Sequence, residues 1–237
     1  MIMKSTYKWL FAVLGCILAL AACKKDYYDD SGTHNGKFDG NIMQYLESNP
    51  YYFSDVVKAI DLAGLRETME NETVTFFAPG NVSFDSTIYY TNRELFNIGQ
   101  DTIRTLDQVP GPVWKAMLSR YLFKDKRLLN DYQQFDPNVF NTYPGQFFNS
   151  YLEEPMHIGV FYHDEGGAKY VGYRQLQLSY SRDYSISPIF WTTVNVASVN
   201  IEPTNGAVHA LQFSNHRFGF IVNDFYLLIR QYGLNGQ

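Results

Sequence analysis

The chain has 237 residues with 18 Phe, 19 Tyr and 3 Trp, only 18% charged residues and a net charge of -5. So much ring surface can build a sizeable core and excludes the low-hydrophobicity, high-charge composition of an intrinsically disordered chain. The acidic balance excludes the basic footprint of a nucleic-acid binder, and no apolar run reaches the roughly 18 residues of a membrane span. Both cysteines, Cys16 and Cys23, lie in the first tenth of the chain. The body of the protein therefore has neither a disulfide scaffold nor a thiolate zinc site.

Lys4 and Lys8 precede an apolar run from Trp9 to Ala22, which gives residues 1–22 the pattern of a secretory signal. Leu20-Ala21-Ala22-Cys23 resembles the bacterial lipobox. That resemblance implies that Cys23 is lipidated and becomes the first residue of the mature chain. The lipid would then hold the protein to a membrane, each buried CH₂ contributing about 0.8 kcal/mol. Lys24 followed by Asp26, Asp29 and Asp30 is similar to the surface-export signal of some Gram-negative lipoproteins, or is simply a solvated linker. The expectation is lipid anchoring at the outer membrane facing the cell exterior, with the periplasmic face as the alternative. Residues 23–40 read as a flexible tether, because their Lys, Asp, Ser, Gly and Asn cannot bury enough apolar area to order themselves.

A folded domain is predicted over 41–213, with a helical extension over 214–237. Asn41 can cap a short helix bearing Ile42, Tyr45 and Leu46, ended by Asn49-Pro50. Ser54 can cap a second helix with Val56, Val57 and Ile60 on one face and Gly64 as its stop. Residues 72–77 alternate as a strand halted by Pro79, and 91–109 is polar and aperiodic, like a loop or insertion. Pro112 suits the first turn of a helix to about Phe123, in which Val113, Met117, Leu118 and Tyr121 share a face. Strands follow at 156–163 and 168–180 around Asp164-Glu165-Gly166-Gly167, then at 189–201, and after the turn Pro203-Thr204-Asn205-Gly206 at 207–213. Phe218, Ile221, Phe225, Leu228 and Ile229 have helical spacing up to Gly233, in a helix expected to pack back on the sheet. Helices first and strands later, without an internal repeat, predict one α+β domain.

Two segments carry a family resemblance. Val74-Thr75-Phe76-Phe77-Ala78-Pro79-Gly80-Asn81-Val82-Ser83-Phe84 resembles the first signature of the fasciclin (FAS1) family, and Thr204-Asn205-Gly206-Ala207-Val208-His209-Ala210-Leu211 resembles the second. The resemblance implies helices packed on a two-sheet β-sandwich or wedge, with the C-terminal helix as an extra element. It also implies that Phe84 turns inward and that His209 is a buried hydrogen-bonding residue near the first signature. On elementary grounds Pro79 ends a strand ladder, Asn81 can cap the turn after it, and Gly206 supplies the positive φ of an Asn-Gly turn. The chain departs from the family where Tyr121 is followed by Leu122 instead of His, where Gly80 follows Ala-Pro, and in the apparent insertions at 91–109 and 141–190.

Among chemical constellations, His157 and His163, six apart on a predicted strand, would point to one face, and Asp164 follows directly. They read as a solvated edge before a metal site, and no metal or other cofactor is expected. Asp101 with Asp107, or Glu153 with Glu154, could be posed as acid and base, but no nucleophile elbow, zinc helix or phosphate loop accompanies them, so no enzyme is expected. Asp85-Ser86-Thr87 and Asp101-Thr102-Ile103 resemble short bacterial O-glycosylation sites, which implies Ser86 and Thr102 as acceptors. Tyrosine joins a flat apolar face to a hydroxyl, so Tyr89, Tyr90, Tyr170 and Tyr184 are the expected recognition residues, whereas Tyr173 and Tyr180 are expected in the core. The first functional expectation is a non-enzymatic adhesion or protein- or glycan-binding module. The alternatives are an accessory glycan- or nutrient-binding subunit of an outer-membrane uptake system and, from another class, a hydrolase.

Overall fold

The computed structural model describes residues 36–236; the expected signal, Cys23 and the acidic stretch behind Lys24 lie outside the described residues. Helix α1 (Ile42–Glu47) opens with a reciprocal cap, Asn41 Oδ1 accepting from Gln44 N at 2.9 Å and Gln44 Oε1 accepting from Asn41 N at 2.8 Å. Helix α2 (Pro50–Leu62) starts at Pro50, four residues before the expected cap Ser54. A proline has no amide hydrogen to lose in a first turn, so the residue that ends α1 begins α2. Gly64, at φ 66°, then takes the chain out of α2. Helix α3 (Arg66–Asn71) escaped the sequence reading because a single residue, Met69, is buried in it.

Strand β1 (Val74–Ala78) is buried throughout and stops at Pro79. Helix α4 (Asn81–Asn97) runs through the first third of the stretch expected as a loop, and its final turns look aperiodic because only Thr91 and Leu95 face inward there. Helix α5 (Gly111–Ser119) ends earlier than expected. Tyr121 O accepts from Phe77 N at 2.9 Å, and Leu122–Lys124 then pairs antiparallel with β1 as strand β2. The open edge of β1 therefore captures residues whose spacing also suited a helix.

The remaining strands are β3 (Gln146–Asn149), β4 (Pro155–Tyr162), β5 (Arg174–Tyr180), β6 (Thr192–Ile201) and β7 (Gly206–Leu211). They join β1 and β2 in one seven-stranded sheet of order β2-β1-β7-β6-β5-β4-β3, where two sheets were expected. Strand β6 makes it continuous: Thr192–Asn195 pairs with β5, and Val196–Ile201 pairs with β7 across two register shifts. Such shifts bend a strand and raise its twist. The supposed insertion 141–190 supplies β3, β4 and β5. The glycines at 166 and 167, both at positive φ, turn a small excursion closed by Glu165 and Ala168, and β5 begins only at Arg174.

The start of the fold is also earlier than 41. Glu202 N donates to Gly36 O at 2.7 Å and Phe38 N to Glu202 O at 3.0 Å, which holds residues 36–38 along the end of β6. Helix α6 (Val222–Tyr232) starts four residues later than expected, stops at Gly233, and packs on α4 and α5 instead of the sheet. Between these helices Trp114, Phe84, Phe218 and Phe225 form one buried aromatic layer, with Phe84 and Phe218 stacked 4.1 Å apart. Each such ring contributes roughly 1.5–3 kcal/mol by leaving water.

Candidate binding groove along helix α4

The motif residues gather where β1 and β7 lie parallel, Phe77 opposite His209 and Val74 opposite Gly206. His209 is fully buried, accepting from Asn200 N at Nδ1 (3.3 Å) and bonding Arg127 O through Nε2 (3.0 Å). Those bonds require the neutral ring, and burial pulls its pKa down to about 4. Asn205 reaches Ile42 N, Met69 O and Glu72 O, and Thr204 N donates to Gly40 O. Gly206 is not at positive φ, contrary to the turn reading; a Cβ there would lie 2.0 Å from Val74 O, so the parallel neighbour demands glycine. Asn81 does not cap its own helix, which has Gly80 at the cap position. Instead it accepts from Asp55 N and donates to Ser54 Oγ and Tyr51 O, tying α4 to α2. Ala78 and Phe84 are buried.

The four expected recognition tyrosines do not form one surface. Tyr184 packs on Phe147 and Trp191 and donates to Pro155 O at 3.1 Å, while Tyr170 donates to Asp136 at 3.0 Å. Tyr89 is exposed beside Tyr90 on α4. Tyr173 is 62% exposed and stacks on His163, against the expected core position, whereas Tyr180 is buried as expected.

Tyr90 is the tyrosine with a site around it. The Arg217 guanidinium lies 4.4 Å and that of Arg93 5.2 Å from its ring centroid. Arg93 also pairs with the neighbouring Glu94, an exposed contact at 3.2 Å. Arg217 has no carboxylate in ion-pair reach among the described residues. Two open clefts meet at this ring: one of about 370 Å³ toward Asn223 and Tyr226, the other of about 600 Å³ toward Ser86, Ser214 and Asn215.

The loop that carries Arg217 is fixed on both sides. His216 is buried against Tyr121, whose hydroxyl bonds His216 Nε2 at 2.9 Å and accepts from Gly219 N at 2.7 Å. Burial raises the Tyr121 pKa and lowers that of His216 to about 3, so both stay neutral. Phe218 N donates to Ser83 O and Thr87 Oγ1 to Phe218 O, which fastens the same loop to α4. At the far end Phe213 stacks on Tyr52 and lies so close to Gly80 that a Cβ there would stand 2.5 Å from its ring. The backbone that carries Arg217 is thus held against α4, which places its side chain over Tyr90.

Of the residues that meet here, the sequence singled out Tyr90 for recognition and Ser86 as a glycosylation acceptor, and gave no signal for Arg93, Arg217 or His216. The partners of Arg217 lie more than a hundred residues earlier, so no local pattern announces them. Ser86 is half-buried beside the larger cleft, and Thr102 is half-buried in the connection after α4. His157 and His163 form no shared site: His157 is fully buried among Phe135, Phe147 and Trp191, bonded to Pro144 O, with its pKa pulled to about 4 by burial. His163 lies past the end of β4, and no group of three metal-ligating side chains occurs among the described residues. Asp107 pairs with Lys58, and Glu154 pairs with Arg120, so the posed acid and base pairs are engaged elsewhere.

No protein-family model and no curated protein matches the chain. Among solved structures, a FAS1 domain pair from the insect cell adhesion molecule fasciclin I is similar, with a TM-score of 0.46 and 16% identity over 73% of this chain. The match covers 49% of that structure's chain, about half its length.

Proposed function

We propose that the protein is a non-enzymatic binding module, a fasciclin-like domain carried outside the cell on a lipid at Cys23 and facing outward from the outer membrane, with the α4 groove as its recognition surface. The observation that carries the reading is the pair of guanidiniums beside the Tyr90 ring where two open clefts meet. Supporting it, the buried ionisable groups nearby are consumed by internal bonds: His216 by Tyr121, and Arg120 by Glu154 and Asp224. The likeness of 74–84 and 204–211 to the fasciclin signatures supports the family, and Leu20–Cys23 supports the anchor. A glycan and protein array probed with the full chain tests the reading: saturable binding that Tyr90→Ala removes is expected, together with no turnover of a glycan and ester panel. Turnover would replace it with the hydrolase reading. Mass spectrometry tests the anchor separately, since wild type and Cys23→Ser must differ by the acyl groups.

A further inference from the structure

We infer that the ligand of this groove is an acidic saccharide, a chain of sugar rings bearing carboxylate or sulfate groups. The inference rests on reading the groove as the recognition surface. Both guanidinium carbons stand within 5.2 Å of the Tyr90 ring centroid, and both arginines line the smaller cleft. An anion in that cleft meets two cations at once, an attraction that a neutral ligand does not have. A guanidinium stacked on an aromatic face keeps its N–H edge free for a planar bidentate acceptor, the geometry of a carboxylate or sulfate. Among the described residues the acidic partner of the pair is Glu94, in an exposed contact with its chain neighbour that contributes little and is readily exchanged.

The surroundings choose among anionic partners. Ser86, Ser214, Asn215 and Asn223 line the two clefts and offer hydroxyl and amide groups of the kind that bond sugar hydroxyls. The clefts continue each other across Tyr90 and are open, which suits an extended polymer rather than an enclosed small molecule. An acidic peptide would be expected to add to a strand edge or drop an apolar anchor into a pocket. The outer edges of the sheet, β2 and β3, do not line this groove.

Affinity electrophoresis of the full chain tests this with polygalacturonate, chondroitin sulfate, an unsubstituted galactan and poly-L-glutamate, each at low and high salt. The two acidic polysaccharides should retard the protein at low salt and less at high salt, while the galactan and polyglutamate should not. Arg217→Gln should weaken retardation at least about tenfold, the loss expected for a charge-assisted contact. Arg93→Gln should weaken it less, and Tyr90→Leu should do so by releasing both arginines, whereas Tyr90→Phe should behave as wild type. Arg217 is exposed, so unchanged circular dichroism and melting should accompany its loss of binding. Retention by galactan that Tyr90→Leu removes and Arg217→Gln spares would overturn the acidic ligand and keep the groove. Acidic-polymer retention indifferent to all these variants would overturn both. Preference for polyglutamate, or no retention by any polymer, would overturn the acidic-saccharide inference.

Discussion

Asn205 joins three segments that are far apart in sequence. Its Oδ1 accepts from Ile42 N at 2.9 Å, and its Nδ2 donates to Met69 O at 2.9 Å and Glu72 O at 3.0 Å. It therefore serves the start of α1, the end of α3 and the entry to β1 with one amide. Asn205→Ala should cost about 2–4 kcal/mol in chemical denaturation, because three backbone groups lose partners at roughly 1 kcal/mol or more each. Asn205→Asp should cost more, since a carboxylate keeps the acceptor but turns an anion toward two carbonyls. A smaller loss for Asp than for Ala would refute this account. Beside it, Gly206→Ala would force Cβ to within 2.0 Å of Val74 O, a backbone atom that cannot step aside. That variant should lose about 3 kcal/mol or more, or fail to fold, as severe overpacking does. Both residues stood out in the sequence as a turn signal, yet their purpose did not. Asn-Gly reads locally as a turn, whereas the need for glycine comes from the parallel neighbour β1, which no short window contains.

Elements were legible where a local signal sets their boundary and obscure where a distant partner does. Asn41, Pro79, Gly64 and Gly233 mark ends that need only their own neighbourhood. The early stop of α5 needs the edge of β1, and β3 exists only as the outer neighbour of β4. Asn81 shows the same limit, because a residue suited to capping its own helix was recruited to hold another one. Its bonds to Asp55 N at 3.0 Å, Ser54 Oγ at 2.9 Å and Tyr51 O at 3.1 Å join the first turn of α4 to the first turns of α2. Asn81→Ala should lower stability by about 1–3 kcal/mol. The more specific signature is local: the Asp55 amide should exchange faster with solvent while amides of β7 keep their protection relative to global stability. Equal acceleration at both would mean that Asn81 supports the fold as a whole and not the α2–α4 contact.

Taken as one molecule, the described fold keeps three histidines neutral in its interior: His157 among aromatic rings, His209 between β7 and Arg127, and His216 against Tyr121. Burial holds their pKa values at about 4, about 4 and about 3, below the ordinary value of 6.5. Since the unfolded chain binds these protons first, the stability each contributes is present above 6.5 and lost as pH falls toward the folded values. The lowered Asp107, Asp164 and Asp183 act in the same sense but are fully exposed and minor. Asp55, raised by burial and by Asp85, acts in the opposite sense. Between about pH 7 and about pH 5 stability should therefore fall by roughly 1–2 kcal/mol per histidine. Near the middle of the interval between folded and unfolded values, unfolding should take up close to one proton for each of the three. Denaturant midpoints measured across that range should decline steadily, and His216→Gln should reduce the slope by about a third even if it lowers stability at every pH. A midpoint that stays level down to about pH 5, or a slope unchanged in the variant, would mean that these rings already share protons with the solvent in the folded protein.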